Sequence, residues 1–284
     1  MFNIYESKRC TRKEKKEFYN SLKKNYKYIK EERLNRHVSR FNNIIIGDLA
    51  TCDILICAHY DVFYDCFLNK LISMKNQNKV FLKIYVNPIF LTMFFLIVLL
   101  FTLVTPIWLK ITSIVILFYP LKNIKPFGYN DNSSGIDISL RLINKENVAV
   151  ALFDLEELGC IGSKLFFRYH HKNLANKLII NLDTVGKGDI VCLSPSEKAF
   201  EYVKELKRQY DYDYEIFESP LPGDHISFMK LNCIGITRAD RDSKNRLYAL
   251  NIHSRKDDED NIDVEKLKEI EELVKVIIDN WTGD

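Results

Sequence analysis

The sequence lacks several features that would assign it to a protein class at once. Its seven cysteines are odd in number and none lies in a Cys-x-x-Cys pair, which argues against a zinc ribbon or a disulfide framework. A reducing compartment fits this cysteine usage best. There is no internal repeat and no low-complexity linker. The first 40 residues are charged and contain no apolar run, so they do not form a secretory signal.

The chain also has little net charge. The formal charge is +3 over 284 residues, which is too small to indicate nucleic acid as the main partner. Hydrophobic residues make up 47% and charged residues 28%, as is usual for a globular protein. This length suffices for one large α/β domain with an appendage.

The positive charge is concentrated in residues 1–40, where 13 lysines and arginines face 5 glutamates. Apolar residues at three- and four-residue spacing, including Phe18, Leu22 and Tyr26, predict one or two helices within residues 7–40. This basic helical segment could rest on anionic lipid headgroups. Alternatively, it is a solvated helix packed on the domain, and the sequence does not decide between the two.

An apolar insertion at residues 66–125 interrupts the main domain, which we place at residues 41–284. Residues 89–104 carry no charge, and the run approaches the length of a membrane span. The pattern predicts a membrane-embedded hairpin at about residues 84–120, although the second arm is short for a full span. Lysines flank the hairpin on both sides, so the positive-inside rule places the main domain in the cytoplasm. The alternatives are a helical hairpin buried in a soluble protein, or an oligomer interface.

The rest of the chain alternates apolar strands with amphipathic helices. Residues 52–58, 147–153 and 178–182 are candidate buried strands, and Asp263 can cap a last helix that starts at Val264. Such alternation predicts an α/β fold with a mostly parallel or mixed central sheet flanked by helices.

Two adjacent carboxylates, Glu156 and Glu157, follow the apolar run 147–153 and precede a glycine-containing turn. Neighbouring carboxylates near a core repel each other unless a cation or a proton-transfer task uses them. One can then hold a metal while the other handles a proton. Alone, such a pair is more often a solvated loop.

Further candidate ligands also lie just past strand ends, where sites in open α/β sheets gather. Each of them, taken alone, has an ordinary structural explanation, such as a surface pair, a turn or a solvated loop. Imidazole and carboxylate ligands without thiolates suit a hydrolytic zinc site with an open position. These candidates are His59 with Asp61, Asp131, Asp183 and His253.

The ordered segments HYD, GYNDNSSG, FDLEELGCIGS, INLDTVG, GDHISF and NIHSRKD resemble those of a zinc exopeptidase family. This is the family of bacterial leucyl aminopeptidases and glutamate carboxypeptidase, peptidase family M28. The resemblance covers roughly residues 43–64 and 126–281. Residues 1–40 and the insertion match nothing in the family's core.

The resemblance implies two zinc ions and a peptide substrate. One zinc would be bound by His59 and Asp183, the other by Glu157 and His253, with Asp131 bridging both. Glu156 would be the general base acting on the water between the metals.

Supporting roles are also implied. Asp61 would orient His59, and Asp257 would do the same for His253. Asp224, His225 and Phe228 match a family segment near the substrate pocket, so their role is expected to be substrate-side or structural. Tyr248 is a candidate transition-state donor.

The favoured interpretation is a membrane-associated metallopeptidase, an aminopeptidase acting on peptides. Two alternatives remain open at this point. One is an inactive relative that serves as a membrane-bound binding or scaffold module. The other is a one-zinc acyltransferase resembling glutaminyl cyclases. Neither the preferred N-terminal residue nor the oligomeric state follows from the sequence.

Overall fold

The computed structural model describes residues 3–33, 42–62, 79–81, 105–118, 128–210, 212–254 and 256–283. Its strands are β1 (Ile29–Arg33), β2 (Asn42–Ile46), β3 (Ile54–His59), β4 (Lys79–Phe81), β5 (Val148–Phe153), β6 (Leu178–Leu182), β7 (Ile190–Pro195), β8 (Tyr214–Ile216), β9 (Asn232–Arg241) and β10 (Leu247–Leu250). Its α-helices are α1 (Arg12–Asn25), α2 (Ile107–Phe118), α3 (Ser134–Leu142), α4 (Ile161–His170), α5 (Glu197–Tyr210) and α6 (Val264–Asp279).

The described strands form one mixed sheet. Its order is β1-β2-β5-β3-β6-β9-β10-β4, with β7 paired to β9 and β8 paired to β7. The central strands β5, β3, β6 and β9 run parallel. β2 joins β5 antiparallel, and β7 and β10 join β9 antiparallel. The predicted α/β fold with a mixed sheet and flanking helices is therefore confirmed.

The central strands form where the sequence is continuously apolar. Every residue of β3, β5 and β6 is buried, as expected of strands covered on both faces. Successive side chains alternate between two core layers: Ile56 packs in the layer covered by α1, α3, α5 and α6, and Cys57 packs in the layer that contains Phe166 of α4.

This topology brings the candidate residues to one edge. In the parallel pair β3–β5, His59 is opposite Phe153, so both strands end at the same level. β6 lies on the other side of β3, and Asp183 follows its last residue. The carboxyl ends of three neighbouring strands thus open towards the same space.

The N-terminal segment differs from the helical prediction. α1 ends at Asn25, and residues 29–33 form β1, which pairs antiparallel with β2. The prediction that residues 7–40 form one or two helices is therefore wrong for residues 29–33, which form a strand. α1 begins with a capping box between Thr11 and Glu14. Its Phe18 and Leu22 are buried in the main core, so this helix packs on the domain.

The predicted hairpin at about residues 84–120 lies largely outside the described residues. Within it, α2 spans 12 residues and exposes Trp108, at 62%. Among the helices that the structure describes, none is both long enough and apolar enough for a membrane span. β4, from the insertion, pairs with β10, with Phe81 opposite Tyr248.

Candidate metal centre

Five side chains from five different loops or strand ends meet at the carboxyl edge of the sheet. His59 is the last residue of β3, and Asp183 directly follows β6. Asp131 lies in the turn of residues 128–133 that precedes α3, which we name the Asp131 turn. Glu157 follows β5, and His253 lies in the loop after β10. The structure therefore brings together all five predicted ligands.

The carboxylate of Asp131 lies between the two imidazoles. Its Oδ1 is 2.9 Å from Nε2 of His59, and its Oδ2 is 3.0 Å from Nε2 of His253. On the first side, Oδ1 of Asp183 is 3.7 Å from the same nitrogen of His59. On the second side, Oε2 of Glu157 is 3.1 Å from Nε2 of His253. Each oxygen of Asp131 thus faces a different histidine–carboxylate pair.

The donor set fits divalent cations. Donor atoms of His59, Asp131 and Glu157 all lie within 4.8 Å of one another. Oε1 of Glu157 is buried and has no hydrogen-bond partner among the described residues, although buried carboxylates are usually fully paired. Carboxylate and imidazole donors without thiolates suit a zinc site that also binds water or substrate.

The pKa values of the two histidines are raised by the carboxylates around them. Burial alone would lower the pKa of His59, but hydrogen bonds with Asp131, Asp183 and Asp61 raise it well above the ordinary value. The pKa of His253 is likewise raised, against the effect of burial, by Glu157 and Asp131. Both shifts have the same cause, which is the negative charge that the surrounding carboxylates place around the two imidazoles.

Among the carboxylates of the centre, the pKa of Asp131 is lowered, whereas those of Glu157 and Glu156 are raised. Burial would raise the pKa of Asp131, but its hydrogen bonds with the two histidines hold it below its usual range. Burial raises the pKa of Glu157 to about 7. The pKa of Glu156 is raised well above its ordinary value by burial and by the nearby carboxylates of Asp183 and Glu157. Glu156 is therefore disposed to hold a proton.

Asp61 connects His59 to the glutamate pair. Its carboxylate oxygens accept the backbone N–H groups of Glu156 at 3.2 Å and Glu157 at 3.3 Å. Nδ1 of His59 donates to the carbonyl oxygen of Asp61 at 3.1 Å and lies 3.6 Å from its carboxylate. These contacts leave Nε2 of His59 directed at the cluster, as a ligand orientation requires.

Asp257 holds the Asp131 turn. Its carboxylate accepts the backbone N–H groups of Asn130 at 2.8 Å and Asp131 at 3.0 Å, and the side-chain amide of Asn261 at 2.8 Å. Burial, reinforced by the charge of Asp131, raises the pKa of Asp257 to about 7. These contacts hold Asp131 and not His253, so the expected role of Asp257 in orienting His253 stays a prediction.

Asn132 is a positioning residue that the sequence did not single out. Its Nδ2 donates to the carbonyl oxygen of Leu182 at 2.8 Å, and its Oδ1 accepts the N–H of Thr184 at 3.3 Å. These two partners flank Asp183, so one amide side chain joins the loop of Asp131 to the loop of Asp183. Its place beside Asp131 in the NDN segment was the only available signal.

Of the predicted substrate-side residues, three are buried below the site. Phe228 is fully buried against Phe153 at 5.8 Å, so it belongs to the core. The His225 ring packs on Gly235, where a Cβ would lie 2.6 Å from it. Burial lowers the pKa of His225 to about 4 and raises that of Asp224 to about 7. The burial of Phe228 agrees with the structural role, and a substrate-side role for Asp224 and His225 stays a prediction.

The remaining member of that group, Tyr248, lies in β10 opposite Asp240 of β9. It is not among the described residues that line the cavity at the centre. Its role as a transition-state donor stays a prediction.

A cavity of about 360 Å³ opens onto the cluster. Its lining includes the carboxylates of the centre with Glu156, and also Pro222, Ile226 and Ile252. No lysine or arginine lines the cavity among the described residues. The lining therefore combines acidic with apolar side chains.

The comparisons with known proteins agree with this geometry. The family described as Peptidase family M28 matches residues 115–278, more than half of the chain. The chain therefore belongs to Peptidase family M28, and this membership supports a zinc-dependent, peptidase-type function. No curated protein matches the chain.

Several solved structures share the fold at low sequence identity. BSAP, a zinc aminopeptidase from Bacillus subtilis, is 17% identical with a TM-score of 0.51, over 84% of this chain and 49% of that one. A Zn-dependent exopeptidase from Parabacteroides distasonis is 17% identical with a TM-score of 0.56, over 98% and 94%. Glutaminyl cyclase from Tannerella forsythia is 17% identical with a TM-score of 0.60, over 98% and 95%. This chain thus spans about half the length of BSAP.

Proposed function

We propose that the protein is a di-zinc aminopeptidase that removes N-terminal residues from peptides. One observation carries this proposal: the two carboxylate oxygens of Asp131 face two different histidines, at 2.9 Å and 3.0 Å. A bridging carboxylate between two histidine–carboxylate pairs is the arrangement that a two-metal hydrolytic site requires. His59 and Asp183 would hold one zinc, Glu157 and His253 the other, and Asp131 both.

When bound, the two zinc ions would polarise the scissile carbonyl and make water a nucleophile at neutral pH. The three ligand carboxylates offset much of the metal charge. Asp61 and Asp257 keep Glu157 and Asp131 in place by accepting their backbone N–H groups.

Glu156 is the proposed general base. It lines the cavity beside the ligands, and burial with the nearby carboxylates raises its pKa. It takes a proton from the attacking water and delivers that proton to the leaving amine, so one carboxylate serves both halves of the reaction.

The lining of the cavity supports action at a peptide N-terminus. Among the described residues no lysine or arginine lines it, so no such side chain is there to pair with the C-terminal carboxylate of a peptide. The wall that includes Pro222, Ile226 and Ile252 offers an apolar surface to the first side chain. We therefore expect a preference for apolar N-terminal residues.

A second candidate is a glutaminyl cyclase-like acyltransferase. The observation that favours it is the likeness to the Tannerella forsythia enzyme, with a TM-score of 0.60 over 95% of that chain. Such an enzyme would cyclise N-terminal glutamine and would use one zinc. The complete five-ligand set favours the two-metal hydrolase.

We further propose that the protein is membrane-associated, with the catalytic domain of residues 41–284 facing the cytoplasm. The support is the uncharged run of residues 89–104 within the 66–125 insertion and the exposure of Ile107, Trp108 and Ile111 on α2. Lipid is the partner proposed for the hairpin at about residues 84–120. The packing of α1 on the domain makes a lipid role for that helix less favoured.

A panel of aminoacyl-coumarin substrates tests the proposed activity. We expect hydrolysis that favours apolar residues, stops with a zinc chelator and returns when zinc is added. The N-acetylated form of the best substrate serves as the matched control and should not be cleaved. Equal cleavage of the acetylated substrate, or hydrolysis that resists the chelator, would refute the proposal. Formation of pyroglutamate alone from glutaminyl substrates would establish the cyclase instead.

A further inference from the structure

Arg9 is a buried cation directly behind the metal centre. It lies in the N-terminal stretch just before α1 and is only 1% exposed. Its guanidinium lies 5.4 Å from the ring centroid of Phe18. Among the ion pairs of the described residues, none includes Arg9. A buried, always-charged side chain is costly unless hydrogen bonds compensate for lost water, so its few partners indicate what it is there to hold.

Two of those partners are the two ends of the Asp131 turn. Nη2 of Arg9 donates to Oγ of Ser133 at 2.7 Å and to the carbonyl oxygen of Gly128 at 3.4 Å. The turn is closed by Ser133 itself, whose N–H and Oγ both donate to the Gly128 carbonyl, at 2.8 Å and 2.6 Å. Arg9 therefore holds the two ends of the turn together through these hydrogen bonds.

The turn cannot tolerate much change at these two ends. Gly128 has a φ of 136°, and a Cβ there would lie 2.6 Å from the carbonyl oxygen of Asp131. Gly128 and Ser133 thus lie on either side of Asp131, whose carboxylate must point between the two histidines. A shift of these two turn ends would therefore move Asp131.

A cation and an anion hold the turn from two directions. Asp257 accepts the backbone N–H groups of Asn130 and Asp131, whereas Arg9 donates to the carbonyl and hydroxyl oxygens of the turn. Arg9 also lies in the field of Asp61, Asp131 and Asp257, whose charges favour its charged form. Burial lowers the pKa of Arg9 to about 10, so it remains positive at neutral pH.

The N-terminal stretch that supplies Arg9 is itself fixed to the same region. Nη1 of Arg9 donates to the Ile4 carbonyl oxygen at 2.9 Å. The hydroxyl of Tyr5 donates to Asp137 of α3 at 2.9 Å, and its ring lies 5.4 Å from that of Tyr129 in the Asp131 turn. The stretch therefore contacts both the turn and the helix that follows it.

We propose that Arg9 is a positioning residue of the metal centre, which fixes the Asp131 turn so that Asp131 can bridge two metal ions. It follows that residues 3–11, outside the part of the chain that resembles the family's core, belong to the catalytic unit. The inference rests on the metal site of the proposed function. Because it concerns metal binding, it can be tested without measuring enzymatic activity.

Zinc affinity, measured by chelator competition, is the primary test. Loss of a residue that holds a ligand typically weakens metal binding 10- to 100-fold. We expect Arg9→Met to weaken binding at least tenfold, and Arg9→Lys to restore part of the loss because it keeps the charge but not the planar fork. Arg12→Met is the matched control, an exposed arginine three residues along, and should bind as the wild type does.

Two further measurements separate positioning from general stability. Ser133→Ala removes the partner hydroxyl without removing a charge, and should also weaken zinc binding. The visible spectrum of the Co²⁺-substituted protein reports ligand geometry. It should change in Arg9→Met and Ser133→Ala and stay unchanged in Arg12→Met.

The outcomes distinguish this inference from the proposed function. If the wild type binds no zinc, the metal site itself is wrong. If the wild type binds zinc while Arg9→Lys, Ser133→Ala and any folded Arg9→Met keep its affinity and cobalt spectrum, the positioning role is overturned. Should Arg9→Met not fold, the other two variants decide the matter.

Discussion

Asp131→Asn is the substitution that bears most directly on the bridging geometry. The asparagine keeps the shape of the side chain but loses the negative charge, and one of its two terminal atoms becomes an amide nitrogen. In the structure those two positions lie 2.9 Å from His59 and 3.0 Å from His253. Neither position is then a charged oxygen, so both metal sites should be weakened together.

The size of the effect follows from the two contacts. The side chain is only 5% exposed, so water screens these contacts little. Each carboxylate oxygen would contact one cation, and taking the roughly 1.5–3 kcal/mol of a hydrogen bond to a charged group as the scale for each contact, the pair amounts to about 3–6 kcal/mol. At about 1.4 kcal/mol for each factor of ten, combined zinc affinity should fall by about 10² to 10⁴.

Equilibrium dialysis against a zinc buffer measures both binding steps. Asp213→Asn, at an exposed aspartate, is the matched control and should retain wild-type binding. Two zinc ions bound to Asp131→Asn with wild-type affinities would refute the bridging role. Weakening of one step alone would show that Asp131 binds a single metal.

Three other predictions concern catalysis, pH and the membrane. Glu156→Gln should keep its zinc content but lose at least about 10² in kcat, since a proton carrier is removed while the ligands remain; normal turnover would exclude that role. The free energy of unfolding of the metal-free protein should fall as pH rises from about 4 to 8, because folded Asp224, with a pKa of about 7 against 3.8, keeps a proton that the unfolded chain has released. Asp224 accounts for up to roughly 4 kcal/mol of this fall in the free energy of unfolding. Asp224→Asn should therefore make the free energy of unfolding, measured by denaturant titration at each pH, depend less steeply on pH; an unchanged dependence would contradict this. Replacing residues 81–119 by a short linker should release the protein from sedimenting membranes, and continued sedimentation would place the anchor elsewhere.

The central sheet could be predicted from the sequence because its strands are continuously apolar. β3, β5 and β6 were visible as buried runs, and α6 was placed from its Asp263 cap and its apolar stripe. The edge strands were missed. β1, for example, has the sequence IKEER, in which apolar and polar residues do not alternate as they do in a half-buried strand. It forms a strand because it pairs with β2.

The convergence of the candidate ligands was predictable for a related reason. Residues that directly follow parallel strands meet at one sheet edge, so His59 and Asp183 could be placed from local sequence, and the resemblance supplied the pairing. Arg9 could not be found in this way. It lies in a segment rich in lysine and arginine, where a positive residue is usually solvated, and only the tertiary contact with Ser133 distinguishes it.

Anomalous diffraction at the zinc edge from crystals of the zinc-loaded protein tests the central claim most directly. We predict two peaks per chain, one beside His59 and Asp183 and the other beside Glu157 and His253, with the Asp131 carboxylate between them. A single peak per chain, or two peaks that do not share Asp131, would contradict the account.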